Sequence, residues 1–232
     1  MTLTTIDPLL DDKLLRSIKA TYRTLRLGLG WAAVGLPLTL WLVGLLRDVP
    51  LQGSLSAYYN TSMRDVFVGV LFGAGAGLLL YTGFKGKENR VLNLAGVFAI
   101  GVALFPTRAD AGRITLHGTC AVSFFVCLAY VALFRATDTL VLVKDPKRVA
   151  KYKMMYRLLG VAMLVLPVIA ATLVSAFEFG QTGGDSKVVF FVEFAAIWAF
   201  GAFWLVKSHE IRRTLKEQDA SPAPDPAARA LA

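Results

Sequence analysis

Six long stretches of this chain carry almost no charge, and they constrain its fold more than any other feature. They are Leu27–Leu46, Val66–Phe84, Val91–Thr107, Ile114–Phe134, Leu158–Phe177 and Val188–Val206. Within them the only Asp, Glu, Lys or Arg is Glu193. An α-helix needs roughly 20 mostly apolar residues to cross a hydrocarbon layer about 30 Å thick. Each stretch is 17 to 21 residues long, and together they take half of the 232 residues. Strands of an outer-membrane barrel would instead alternate over about 10 residues. The pattern predicts an all-α polytopic membrane protein, a bundle of six transmembrane helices.

The basic residues orient the bundle. With the amino terminus in the cytoplasm, residues 1–26, 84–92, 135–157 and 207–232 lie inside and hold 20 of the 25 Lys and Arg. The outer loops hold only Arg47, Arg64, Arg108, Arg113 and Lys187. That asymmetry is the positive-inside signal, and it predicts both termini in the cytoplasm. It also accounts for the net charge of +9. Because the charge is spread over four inner segments, the chain reads as no nucleic-acid binder. Its expected partners are the bilayer and anionic lipid headgroups at the cytoplasmic face.

Three regions follow. Residues 1–26 form a cytoplasmic amphipathic segment, with Asp7-Pro8 as a helix start and Leu10, Leu14, Ile18 and Tyr22 recurring every four residues. It either lies along the inner membrane surface or extends the first span. No cleavable leader is read in residues 1–24, so the first span serves as its own insertion signal. Residues 27–206 form the six-helix transmembrane domain. Residues 207–232 form a cytoplasmic tail, expected to be disordered from about 219 because it is rich in Pro and Ala. Small residues at four-residue spacing, Gly69, Gly73 and Gly77, predict a close helix contact on the second span. Ala95, Ala99 and Ala103 repeat the pattern on the third. Lys144, Lys147, Arg148, Lys151 and Lys153 make the inner loop 135–157 a basic face near headgroups.

Ionisable groups inside a span are costly and mark function by default. Glu193 lies about 9 Å inside the sixth span at 1.5 Å per residue. Asp65 stands four residues before Gly69 and is expected to point into the bundle, while His117 lies just inside the fourth span and Glu178 closes the fifth. Arg108 and Asp110 follow the third. With the topology above, all belong to the outer side. The long first loop, residues 47–65, adds Ser54, Ser56, Tyr58 and Tyr59. These residues predict an outward-facing polar pocket, with Glu193 and Asp65 supplying charge, His117 adding pH sensitivity, and Tyr58 and Tyr59 forming its lip. The alternative is an ion-paired or hydrogen-bonded plug that fixes helix register.

Several chemistries find no residues to run on. The two histidines, His117 and His209, fall at opposite faces of the membrane, so neither a three-histidine zinc site nor a multi-haem centre is expected. Cys120 and Cys127, seven residues apart on one helix, are about 10 Å apart, too far for a disulfide. No phosphate-binding glycine loop, nucleophile elbow or potassium-filter motif occurs. No cofactor is expected.

Short stretches carry a resemblance. They are Gly53-Ser54-Leu55-Ser56-Ala57-Tyr58-Tyr59, Arg64-Asp65-Val66-Phe67-Val68-Gly69, Asn93-Leu94-Ala95-Gly96 through Ala103-Leu104-Phe105-Pro106-Thr107, and Trp198-Ala199-Phe200-Gly201 before Trp204-Leu205-Val206-Lys207. Together they resemble a family of uncharacterised bacterial six-helix membrane proteins, itself distantly similar to the damage-regulated autophagy modulator family of eukaryotes. The resemblance spans residues 27–207 in layout. The eukaryotic family's first loop carries a Ser-Asp motif where this chain reads Ser56-Ala57-Tyr58.

The expected function is an integral protein of the bacterial inner membrane whose outward pocket binds or moves a small or lipidic ligand. A membrane-embedded hydrolase using Ser54 or Ser56 with His117 is the first alternative. A structural or interaction subunit of a membrane complex is the second. Oligomerisation is left open.

Overall fold

The computed structural model describes residues 8–107, 115–179 and 187–220, with side chains described over 12–107, 115–174 and 187–220. All regular structure among these residues is helical. Six long helices account for most of it: α1 (Pro8–Leu46), α2 (Arg64–Leu80), α3 (Gly86–Leu104), α4 (Leu116–Tyr130), α5 (Pro146–Phe179) and α6 (Val188–Asp219). A short 3-10 turn, Ser56–Asn60, lies in the first loop. A wider turn, Val131–Arg135, and a 3-10 turn, Ala136–Leu142, continue α4.

Each helix packs antiparallel on its neighbour in the chain, and α1 closes the ring against α6. Glycines permit two of these crossings. A Cβ on Gly96 would lie 2.7 Å from the Gly75 carbonyl oxygen, so α2 and α3 touch backbone to backbone. On α1 and α6, a Cβ on Gly201 would come within 3.0 Å of the Gly30 carbonyl. The small-residue contact predicted for the second span therefore exists but uses a different face. Gly69 and Gly73 meet open space, and a Cβ on Gly77 would touch only the Leu29 side chain, at 3.1 Å. Gly75 lies off the four-residue stripe by two residues, on the other side of the helix wheel.

The element ends also depart from the spans read in sequence. The amphipathic segment is no separate element, since α1 runs unbroken through residue 26. At 39 residues, α1 is about 58 Å long. The basic cluster Lys147, Arg148, Lys151 and Lys153 lies on the first turns of α5, not in a loop. Helix α6 likewise continues past residue 206 to Asp219. Among the described residues, four helical stretches are long and apolar enough to cross a membrane: Asp12–Leu46, Leu116–Leu142, Pro146–Val174 and Val188–Asp219. The helix α2 has only 17 residues, and α3 opens on the charged run Lys87-Glu88-Asn89-Arg90.

Two cores fill the ring. One gathers Leu78, Leu92, Leu128, Tyr156, Met163 and Trp204 toward the end that holds residues 81–90, 136–145 and 207–219, here the basic end. The other packs Leu36, Leu40, Leu55, Tyr58, Met63 and Phe190 at the opposite end, beneath the first loop, here the loop end.

Candidate functional site

At the loop end, the structure joins part of the predicted set. Glu193, one turn into α6, accepts a hydrogen bond from the Leu55 backbone N–H at 2.6 Å and a longer one from the Ser56 N–H at 3.4 Å. The Ser56 hydroxyl donates to its other oxygen at 3.4 Å. The free N–H groups at the start of a helical turn favour an anion, and Glu193 supplies one across 138 residues of sequence. The Ser54 hydroxyl accepts from the Ala57 N–H at 3.0 Å and faces Ser56 at 3.3 Å. The Phe190 N–H donates to the Gly53 carbonyl at 2.9 Å, a second tie between loop and α6.

The loop is therefore an integral part of the packing. Leu55, Tyr58 and Met63 are fully buried, with Tyr58 tilted on Phe190 at 6.3 Å. Tyr59 is buried too, edge-on to Phe67, and its hydroxyl accepts from Arg64 at 3.1 Å. Neither tyrosine forms an open lip, because the first loop folds its aromatic side chains inward to cover the apolar ends of α1 and α6.

Neither His117 nor Asp65 is a hydrogen-bond partner of Glu193. His117 is buried, stacked on Phe67 at 6.4 Å, with its Nδ1 3.0 Å from the Phe105 carbonyl. Neither Ser54 nor Ser56 is among its hydrogen-bond partners, so no Ser–His pair is assembled. Asp65 is exposed on the first turn of α2, not turned into the bundle. Arg108 and Asp110 fall outside the described residues, as does the Glu178 side chain. Among the described residues, no group of three His, Cys, Asp or Glu side chains could hold a metal ion.

A second polar cluster, at the basic end, is deeply buried. Lys207 and Glu210, on α6, form an ion pair at 3.2 Å with side chains only 3% and 1% exposed. The Lys207 Nζ donates to the Ala136 carbonyl at 2.7 Å and to Thr139 Oγ1 at 2.6 Å. Glu210 accepts from the Tyr156 hydroxyl at 2.8 Å and from Thr139 at 2.9 Å. The cluster thus ties α5, α6 and the turn Ala136–Leu142 together. Glu88, in the first turn of α3 ahead of its apolar stretch, is also buried and accepts from the Phe84 N–H at 2.8 Å. Burial pushes its carboxyl above the usual carboxylate range, partly offset by nearby Lys207 and the Phe84 N–H. The signal was periodic: Phe200, Phe203, Lys207, Glu210 and Thr214 continue one stripe at three- and four-residue spacing. The span boundary drawn at Val206 cut that stripe in two.

Compared with protein-family models, curated proteins and solved structures, the chain matches none of them.

Proposed function

We propose that this chain is a six-span membrane protein, with both termini in the cytoplasm of a bacterial cell, that binds or moves a small or lipidic ligand. In this reading it catalyses no reaction, and the first outer loop is the lid over its outward side. One observation carries the proposal. The single acid inside a predicted span, Glu193, spends its hydrogen bonds on the first loop, the Leu55 and Ser56 N–H groups and the Ser56 hydroxyl, and not on another of the six long helices. A charged group in a span is expensive, and here its partners all belong to one loop, so a movement of that loop is what would uncover it. Release of Leu55 and Ser56 would leave Glu193 free to receive a donor group from a ligand. The hydrolase reading loses weight, since the Ser54 and Ser56 hydroxyls are engaged with each other, with Ala57 and with Glu193.

The test is native mass spectrometry of gently solubilised protein, wild type beside Glu193→Gln. A discrete extra mass on the wild type that disappears in the variant supports the reading. Two bare, equally folded species would instead favour a structural subunit, in which Glu193 serves only to pin the loop.

A further inference from the structure

We infer that the groove between the first half of α1 and the last half of α6 binds the phosphate of one anionic phospholipid from the cytoplasmic leaflet. This site is independent of the loop-end reading and lies at the other end of the bundle. The two helices meet closely at Gly30 and Gly201, and Lys19 on α1 still pairs with Asp219 on α6 at the far end of the seam. Two adjoining cavities open along the seam between them, of about 170 and 250 Å³, and both are lined by Arg23 and Arg212.

The lining is graded along the helix axis. Nearest the crossing, the floor is Leu27 and Leu205, with Ser208 and His209 beside them. Farther out, Lys19 and Lys216 join the two arginines, Arg26 lies level with Leu27, and Asp219 is the one carboxylate in the lining. Asp219 reaches only Lys19, at 3.9 Å. The groove therefore carries a strong excess of positive charge. Arg26 adds a buried charge beside them: it is only 6% exposed and its guanidinium is hydrogen-bonded to Tyr81. The planar forks of Arg23 and Arg212 suit a phosphate oxygen.

The apolar side indicates a lipid source for that phosphate. Arg23, Leu27 and Trp31 recur every four residues on α1, so a charged, an aliphatic and an aromatic side chain follow one another along one face. Trp31 is 62% exposed, one turn deeper than Leu27. A headgroup held between Arg23 and Arg212 would direct its acyl chain over Leu27 toward Trp31. Indole rings favour that interfacial depth.

The experiment measures lipid retention by the full chain in mild detergent, titrated with phosphatidylglycerol, with phosphatidylcholine and with inorganic phosphate. Native mass spectrometry reads the bound mass, and thermal unfolding checks the fold of each variant. One phosphatidylglycerol should bind in preference to phosphatidylcholine. R23Q/R212Q should weaken it by about 30-fold, the effect of two charges near an anionic surface. Leu27→Trp, which fills the floor and keeps every charge, should also reduce retention. K147Q/K153Q, exposed on α5, should leave it unchanged. Equal binding of both lipids, equal weakening by K147Q/K153Q, or capture of inorganic phosphate with no lipid retained would each overturn the assignment. A mass lost in R23Q/R212Q but kept in Glu193→Gln belongs to this groove, so the two proposals fail separately.

Discussion

Replacing Lys207 by Met removes one charge from a pair that water scarcely reaches. Methionine keeps much of the aliphatic stem, so the packing against Tyr156 largely survives. Glu210 is left 1% exposed without its cation. Breaking one side of a buried ion pair costs about 3–5 kcal/mol, because the remaining charge has no compensation. Glu210 retains the Tyr156 hydroxyl at 2.8 Å and the Thr139 hydroxyl at 2.9 Å. Those donors place the expected loss at the lower end, about 3 kcal/mol. Adding Glu210→Gln neutralises the stranded group while keeping an acceptor for Tyr156 and Thr139. The double variant should then recover about half of that loss, a strongly non-additive cycle. The assay is reversible unfolding of the full chain in mixed micelles by a denaturing detergent, read by circular dichroism, for wild type, both singles and the double. If Lys207→Met alone cost under about 0.5 kcal/mol, within the range of surface substitutions, or if the two effects simply added, the buried pair would not be holding α5, α6 and the turn together.

Two further outcomes follow from the packing. Gly96→Ala should destabilise by about 1–3 kcal/mol, because the new methyl meets the α2 backbone at 2.7 Å. Gly73→Ala, in open space, should be neutral or gain up to about 1 kcal/mol of helix propensity; unfolding midpoints of the two variants decide it. Glu88 binds protons more tightly folded than unfolded, so its contribution should fall as pH rises above its ordinary value of 4.5. Glu88→Gln should flatten that fall in a series of unfolding curves from pH 4 upward, and an unchanged slope would assign the dependence to other groups.

The sequence shows which residues of the candidate site are unusual, but not which of them meet. Glu193 stands out in the sequence because an acid among apolar residues is costly, and the structure places Ser56 against it and Ser54 beside Ser56. Asp65 was misplaced because four-residue spacing to Gly69 implied a shared inward face. The face they share is open, and the contact runs through Gly75. Spacing along one helix says which residues share a face, but not which face meets a partner. Tyr58 and Tyr59 looked like a polar rim in a loop, yet the loop folds inward and buries both. Lys207 and Glu210 were overlooked for a related reason. A charge ends an apolar run in a linear count, whereas a helix continues through it and pairs the charge inside the bundle.

What the sequence determined alone was the class of structure: helices, several of them long and apolar enough for a membrane. Composition and periodicity act locally, and a helix closes its own backbone hydrogen bonds wherever it lies. The tertiary structure decided which glycines touch, which loop Glu193 holds, and which cations line the groove between α1 and α6. Each of those depends on residues far apart in the chain, Leu55 with Glu193, Gly30 with Gly201, Arg23 with Arg212. Such pairs meet only after the ring has closed, and no window along the chain contains both partners.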